Sequence, residues 1–151
     1  NTTIWKELED IKEQAEKYIH IAMEYQDNTF TNLPDYYIRY FELRALQCDI
    51  LHILHYKIRK IREMLKEAHE LANYIEYLIP FIHEKNDPQP QITSLHQMFK
   101  NKQGEALPKS RIEFESKAML LHIYMDLEEF LYTKKKFIDQ TTEEQKKLYW
   151  R

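Results

Sequence analysis

Between Pro34 and Pro80 the chain contains neither glycine nor proline. Nothing in that stretch breaks a helix, and no turn residue is available to reverse a strand. The whole chain of 151 residues has one Gly and five Pro, too few for the tight turns of a sandwich or barrel. The class predicted is all-α. From Tyr36 onward Tyr37, Tyr40, Phe41, Cys48, Leu51, Leu54, His55, Ile58 and Ile61 fall on one helical stripe. Ile38, Leu46, Ile53 and Tyr56 lie off it, so the segment is apolar around most of its girth, as in a helix surrounded by others. Arg44 and Gln47 interrupt the stripe. A charge there is expected to be buried and paired with a carboxylate.

The other segments follow from period and punctuation. Ile4, Leu8, Ile11, Ala15, Tyr18, Ala22 and Tyr25 predict a first helix over about 3–27, capped by Thr2 or Thr3. The second runs from about 34 to 62. A break is expected between Lys60 and Ala68, then a third helix over 67–84 whose last turn Pro80 kinks or tightens. Lys85 to Pro90 reads as a turn-forming linker, and 92–100 as a short helix. Asn101 to Pro108 holds the single Gly and reads as a loop and the best candidate for local mobility. Ser110 with Glu113 is a capping box that opens a helix over 110–138, with a seam of Phe114, Ala118, Leu121, Met125, Glu128 and Tyr132. Lys134, Lys135 and Lys136 stand near its expected end, where cations favour the helix dipole. Thr141 with Glu144 opens a tail helix whose Leu148, Tyr149 and Trp150 need something to pack against. The architecture expected is an antiparallel four-helix bundle in a single domain, with a short extra helix in the long connection and the short C-terminal tail helix. In simple up-down-up-down order Glu128 meets His55. If the long connection instead reverses the last helix, it meets Arg44.

Composition removes several function classes. Net charge is −3, with no basic face for nucleic acid. Cys48 is the only cysteine and lies on an apolar stripe, which fits a small buried hydrophobe. No apolar run approaches the roughly 20 residues that span a bilayer, and the abrupt start on Asn1 suggests a piece of something larger. Phosphate-cradling loops need more than one glycine, and Gly-x-Ser-x-Gly is absent. His52 and His55, with Asp49, invite a metal reading. However, neither Glu-x-x-His nor His-Glu-x-x-His occurs, so the inward ligand set of a di-iron bundle is missing. No catalytic residue, metal or cofactor is expected.

Tyr36, Tyr37, Arg39, Tyr40 and Arg44 cluster near the start of the second helix. Arg suits bidentate carboxylate recognition, and Tyr rings stack on aromatic ligands. The bland reading has Arg44 paired in a core and the rings packing the bundle. Tyr36-Tyr37-x-Arg39-Tyr40-Phe41-Glu42-x-Arg44-x-x-Gln47, then Leu107-Pro108-Lys109-Ser110-Arg111-x-Glu113-Phe114-Glu115-x-Lys117-Ala118 and Asp126-Leu127-Glu128-Glu129-Phe130-Leu131, resemble the C-terminal domain of the putative aromatic acid exporter family, over about residues 5–137. That family comprises bacterial, mainly Gram-positive membrane proteins. The resemblance implies a soluble helical domain on the cytoplasmic side, following a transmembrane portion of the same chain, with an accessory or regulatory role. The alternative is a free-standing helical interaction module. Homo-oligomerisation is left open. If an aromatic acid is the signal, Arg39 with Tyr36 and Tyr40 is the expected ligand site, gated by Asn101 to Pro108. Arg44, Gln47, His55 and Glu128 form the expected buried polar network.

Overall fold

The protein is described here by a computed structural model at residues 10, 13–14, 16–21, 23–24, 34–61, 65–101 and 107–150. It is all-α, with no strand among these residues. The helices are α1 (Pro34–Ile58), α2 (Lys66–Leu78), α3 (Gln89–Lys100), α4 (Arg111–Gln140) and α5 (Glu143–Tyr149). The described residues between 10 and 24 are helical as well; the expected Thr2 or Thr3 cap and both ends of that helix lie outside the described residues. The chain groups into two compact units, residues 1–52 with 136–151, and residues 53–135.

The break expected after α1 is present. Lys60 and Ile61 donate to the carbonyls three residues back, a tightened turn that ends the helix, and α2 begins at Lys66. α2 buries Ala68, Leu71, Tyr74 and Leu78 at spacings of three and four. It stops earlier than the expected Glu84, because Pro80 turns Ile79–Phe81 into a 3-10 turn and Ile82 leaves helical geometry with ψ of 76°. α3 begins three residues before the expected Ile92. The linker prolines serve that start: Pro88 is its N-cap and Pro90 sits in its first turn, while Asp87 Oδ1 accepts from the Gln89 amide at 3.0 Å. Tyr74 Oη donates to the Gln91 carbonyl at 2.7 Å, tying α2 to α3.

α4 opens as expected, with the Glu113 amide donating to Ser110 Oγ at 3.1 Å. The Glu113 carboxylate reaches back one residue further than a standard capping box, to the Lys109 amide. The expected seam is corrected. Phe114 and Met125 are 61% and 52% exposed, and Leu121 and Tyr132 are exposed too. The buried face is Ser116, Leu120, Ile123, Leu127, Leu131, Lys134 and Ile138. Two stripes of equal period coexist on this helix, about 160° apart for a two-residue offset. The period does not decide which faces inward. α1 is rotated less: Gln47, Cys48 and Leu54 on the expected stripe are buried, joined by Tyr36, Leu43 and Ile50 from beside it, whereas Tyr37 and Ile58 are exposed. Leu46, Ile53 and Tyr56 also stay exposed, so the helix is not covered all round. Cys48 is buried, as its stripe position predicts.

The lysine run lies well before the end of α4, which continues to Gln140, so its expected role at the dipole is corrected. Lys134 is buried, and its ammonium donates to the His83 and Asn86 carbonyls, at 2.6 and 3.1 Å. Those carbonyls follow the 3-10 turn, where helix hydrogen bonding has run out. Lys135 pairs with Asp87 at 3.1 Å beside them. In the unit formed by residues 53–135, Ile92, Leu95, Ile123 and Leu127 are almost completely buried and make an aliphatic core. Lys57 grips both Asp126 oxygens there, at 2.9 and 3.1 Å.

Candidate functional site

In the other unit the first turns of α1 carry Tyr36, Arg39 and Tyr40 at i, i+3 and i+4, one face of a helix. Tyr36 is fully buried. Its ring lies parallel to Tyr149 of α5, with centroids 4.4 Å apart and planes 7° from parallel. Phe137 of α4 leans on it at 5.4 Å, and Tyr40 lies near-parallel at 6.4 Å. Tyr37 meets the Tyr149 ring edge-on at 4.9 Å. The Tyr36 hydroxyl accepts from Trp150 Nε1 at 2.8 Å. Tyr36, Leu43, Phe137 and Ile138 are the buried centre, with Tyr40, Tyr149 and Trp150 packed around it. Burial among the rings, with Tyr37 and Asp35 adding to it, holds the Tyr149 phenol above its ordinary pKa.

Arg39 borders the rings. Its guanidinium carbon sits 5.3 Å from the Phe137 ring centroid, a cation–π distance. Nε donates to Asp35 Oδ2 at 3.3 Å and Nη2 to Gln145 Oε1 at 3.0 Å. Nη1 is buried with no hydrogen-bond partner among the described residues. The three residues expected to form a ligand site are therefore close together, but the Tyr36 ring is covered by Tyr149.

Gln145 arrives there for a local reason. The expected Thr141–Glu144 box is shifted by one residue. Thr142 is the N-cap: its hydroxyl accepts from the Gln145 amide at 3.1 Å, and Gln145 Oε1 accepts from the Thr142 amide at 3.0 Å. Thr141 is buried and donates to the Phe137 carbonyl at 2.7 Å, closing α4. The same Gln145 oxygen accepts both the cap bond and the Arg39 bond.

The family of the putative aromatic acid exporter C-terminal domain matches residues 1–135. The chain belongs to this family. A relative from Bacillus subtilis (strain 168), described as uncharacterized protein YqjA, is 26% identical over 132 residues, 87% of this chain. The chain spans only 41% of that protein's length. No solved structure matches the chain. In this exporter-family domain, α1 and nearly all of α4 lie inside the matched residues, whereas α5 lies beyond them.

The other polar residues singled out in the sequence are arranged differently from expectation. Arg44 is half-buried, and its hydrogen bonds run to neutral oxygens rather than a carboxylate: Nε to Tyr40 Oη at 3.2 Å and Nη1 to Gln47 Oε1 at 2.8 Å. Its guanidinium also lies over the Tyr40 ring at 5.1 Å. These i−4 and i+3 neighbours satisfy it without a distant acid. Glu128 is met by His96 of α3 at 2.8 Å and, more loosely, by the Tyr124 hydroxyl at 3.5 Å. It therefore takes neither His55 nor Arg44 as partner. The short α3, expected only as an extra helix in the long connection, supplies the partner instead. Burial, and then the Glu128 charge, push the Tyr124 phenol up to about 12.

Gln145, Tyr149, Trp150 and Phe137 are the site residues that sequence reasoning did not place. Their signal was the Thr142-x-x-Gln145 cap and an aromatic tail needing a partner. Most of the proposed gate, Asn101 to Pro108, lies outside the described residues. Among the described residues no helix is long and apolar enough to cross a membrane, and no three His, Cys, Asp or Glu side chains gather as metal ligands.

Proposed function

We propose that this domain is the accessory, regulatory part of a membrane exporter of aromatic acids. It follows a transmembrane portion of the same chain and lies on the cytoplasmic side, where it reads the cargo. The family match over residues 1–135 carries this reading, and the relative more than twice as long is consistent with it. The site is the aromatic start of α1. Tyr36 and Tyr40 supply ring faces, and Arg39 supplies a planar fork for a carboxylate. No side chain there is arranged for bond-breaking chemistry, so the role is recognition.

Two experiments test this. In the full-length protein, the exposed Lys147→Cys should react with a membrane-impermeant maleimide only from the cytoplasmic face; reaction from outside overturns the placement. The purified protein should bind 4-hydroxybenzoate saturably, and Arg39→Ala should lose that binding while keeping its helical circular dichroism. No binding at millimolar concentration, where about 4 kcal/mol of affinity registers, removes the sensor role.

A further inference from the structure

The wall that closes on Tyr36 comes from outside the residues matched by the family, which end at 135. α5 has seven residues, none of them buried. Its capping box is formed from its own Thr142 and Gln145, so its first turn is satisfied locally. It meets α1 through the Tyr149 stack on Tyr36, the Tyr149 edge contact with Tyr37, the Trp150 bond to the Tyr36 hydroxyl and the Gln145 bond to Arg39. All but the Tyr37 contact fall on the side chains assigned above to ligand recognition. A short segment with little buried surface belongs to the part of a protein that opens first.

The chemistry of the contacts to Tyr36 and Arg39 is that of a stand-in. Tyr149 lays a ring flat on Tyr36 as a bound aromatic would. Gln145 offers Arg39 one neutral oxygen, which reaches Nη2 and leaves Nη1 buried without a hydrogen-bond partner among the described residues. A carboxylate at that place accepts from both nitrogens in parallel, a stronger and better-directed interaction. We propose that α5 is a displaceable internal occupant of the Tyr36–Arg39 site, and that an aromatic carboxylate binds by taking the places of the Tyr149 ring and the Gln145 amide. This rests on the reading of that site as the ligand site.

The test uses the full chain with 4-hydroxybenzoate as probe. Tyr149→Ala, with helicity intact, should bind it at least tenfold more tightly than the unaltered chain, and Arg39→Ala added to it should abolish binding. Binding by the unaltered chain that Tyr149→Ala leaves unchanged or weakens overturns the displacement alone, and the site reading survives. Absence of binding in both proteins overturns the site reading and this proposal together. Hydrogen exchange on the unaltered chain needs no variant: the α5 amides should exchange well before the buried part of α4, and faster with 4-hydroxybenzoate present. Exchange of α5 only with the rest of the chain, at a rate the probe does not change, overturns the proposal.

Discussion

The aromatic cluster of Tyr36, Tyr40, Phe137 and Tyr149 and the aliphatic core of Ile92, Leu95, Ile123 and Leu127 exclude water by different means. In the aliphatic core, polar side chains bond the main chain at the turns: Lys134 holds the His83 and Asn86 carbonyls, and Tyr74 holds that of Gln91. Removing either side chain takes a hydrogen bond that ties a helix to the main chain of another segment, so the parts are held together. In the aromatic cluster the polar bonds run between side chains, Trp150 to Tyr36 and Arg39 to Gln145. Breaking them leaves groups that water or a ligand can satisfy. Stability and separability are thus allotted to different regions of one chain.

The largest expected effect is at Lys134. Lys134→Met should cost about 2–4 kcal/mol, because it removes both bonds of a buried ammonium to main-chain carbonyls; urea unfolding measures it. A cost near zero would erase the contrast just drawn. Alkaline pH comes next. Burial, the largest cause in both, pushes Tyr74 and Tyr124 up to about 12 from an ordinary 10. The unfolded chain therefore releases these protons first. Their contribution is complete below pH 10 and is lost as pH rises through about 12. It amounts to about 2–3 kcal/mol each, at 1.36 kcal/mol per unit. Unfolding free energy followed from pH 9 to 12 should fall, and Tyr74→Phe with Tyr124→Phe should flatten that fall.

In the aromatic cluster, Tyr149→Ala should cost only about 1–2 kcal/mol, mostly lost ring contact. Near-ultraviolet circular dichroism should weaken while far-ultraviolet helicity persists. Loss of all helicity would show that α5 is no separable part. Asp126→Asn removes the charge that Lys57 grips with little exposure, and about 1 kcal/mol of urea stability is expected to go with it. The smallest effect is His96→Ala. Its pair with Glu128 is 43% and 35% exposed, so less than about 1 kcal/mol should be lost.

How much of this could be read beforehand depends on the range of the interaction. The 3-10 turn at Pro80 and the Ser110–Glu113 start of α4 were legible, because each is decided within a few residues; the break after α1 has no Gly or Pro to mark it and was expected only because an unbroken helix to Glu84 would be unusually long. The cap of α5 was missed by one residue, since Thr141 and Thr142 are equally good side chains and only the burial of Thr141 separates them. The inward face of α4 was not legible, because two stripes share its period. In the site, Tyr36, Arg39 and Tyr40 could be grouped from their spacing, but their partners stand 106 and 114 residues away. Glu128 was recognised as unusual, yet its partner was sought on a long helix rather than on α3.

The single Gln145 oxygen shared by the Thr142 amide and Arg39 has a quantitative consequence for a cell. If α5 is the displaceable occupant proposed above, the site has a threshold: free ligand must rise until it outcompetes the tail. Every tenfold change in the closed-to-open ratio moves that concentration tenfold, about 1.4 kcal/mol. One side chain sets both the folding of α5 and its grip on Arg39, so it acts as a set point. Gln145→Glu adds a charge that suits the helix start and the guanidinium alike, and should shift the response to higher cargo concentration, read as a raised midpoint in the 4-hydroxybenzoate titration. On that proposal, domains with the same α1 and α4 differ in the ligand level at which they open through one position in a short tail.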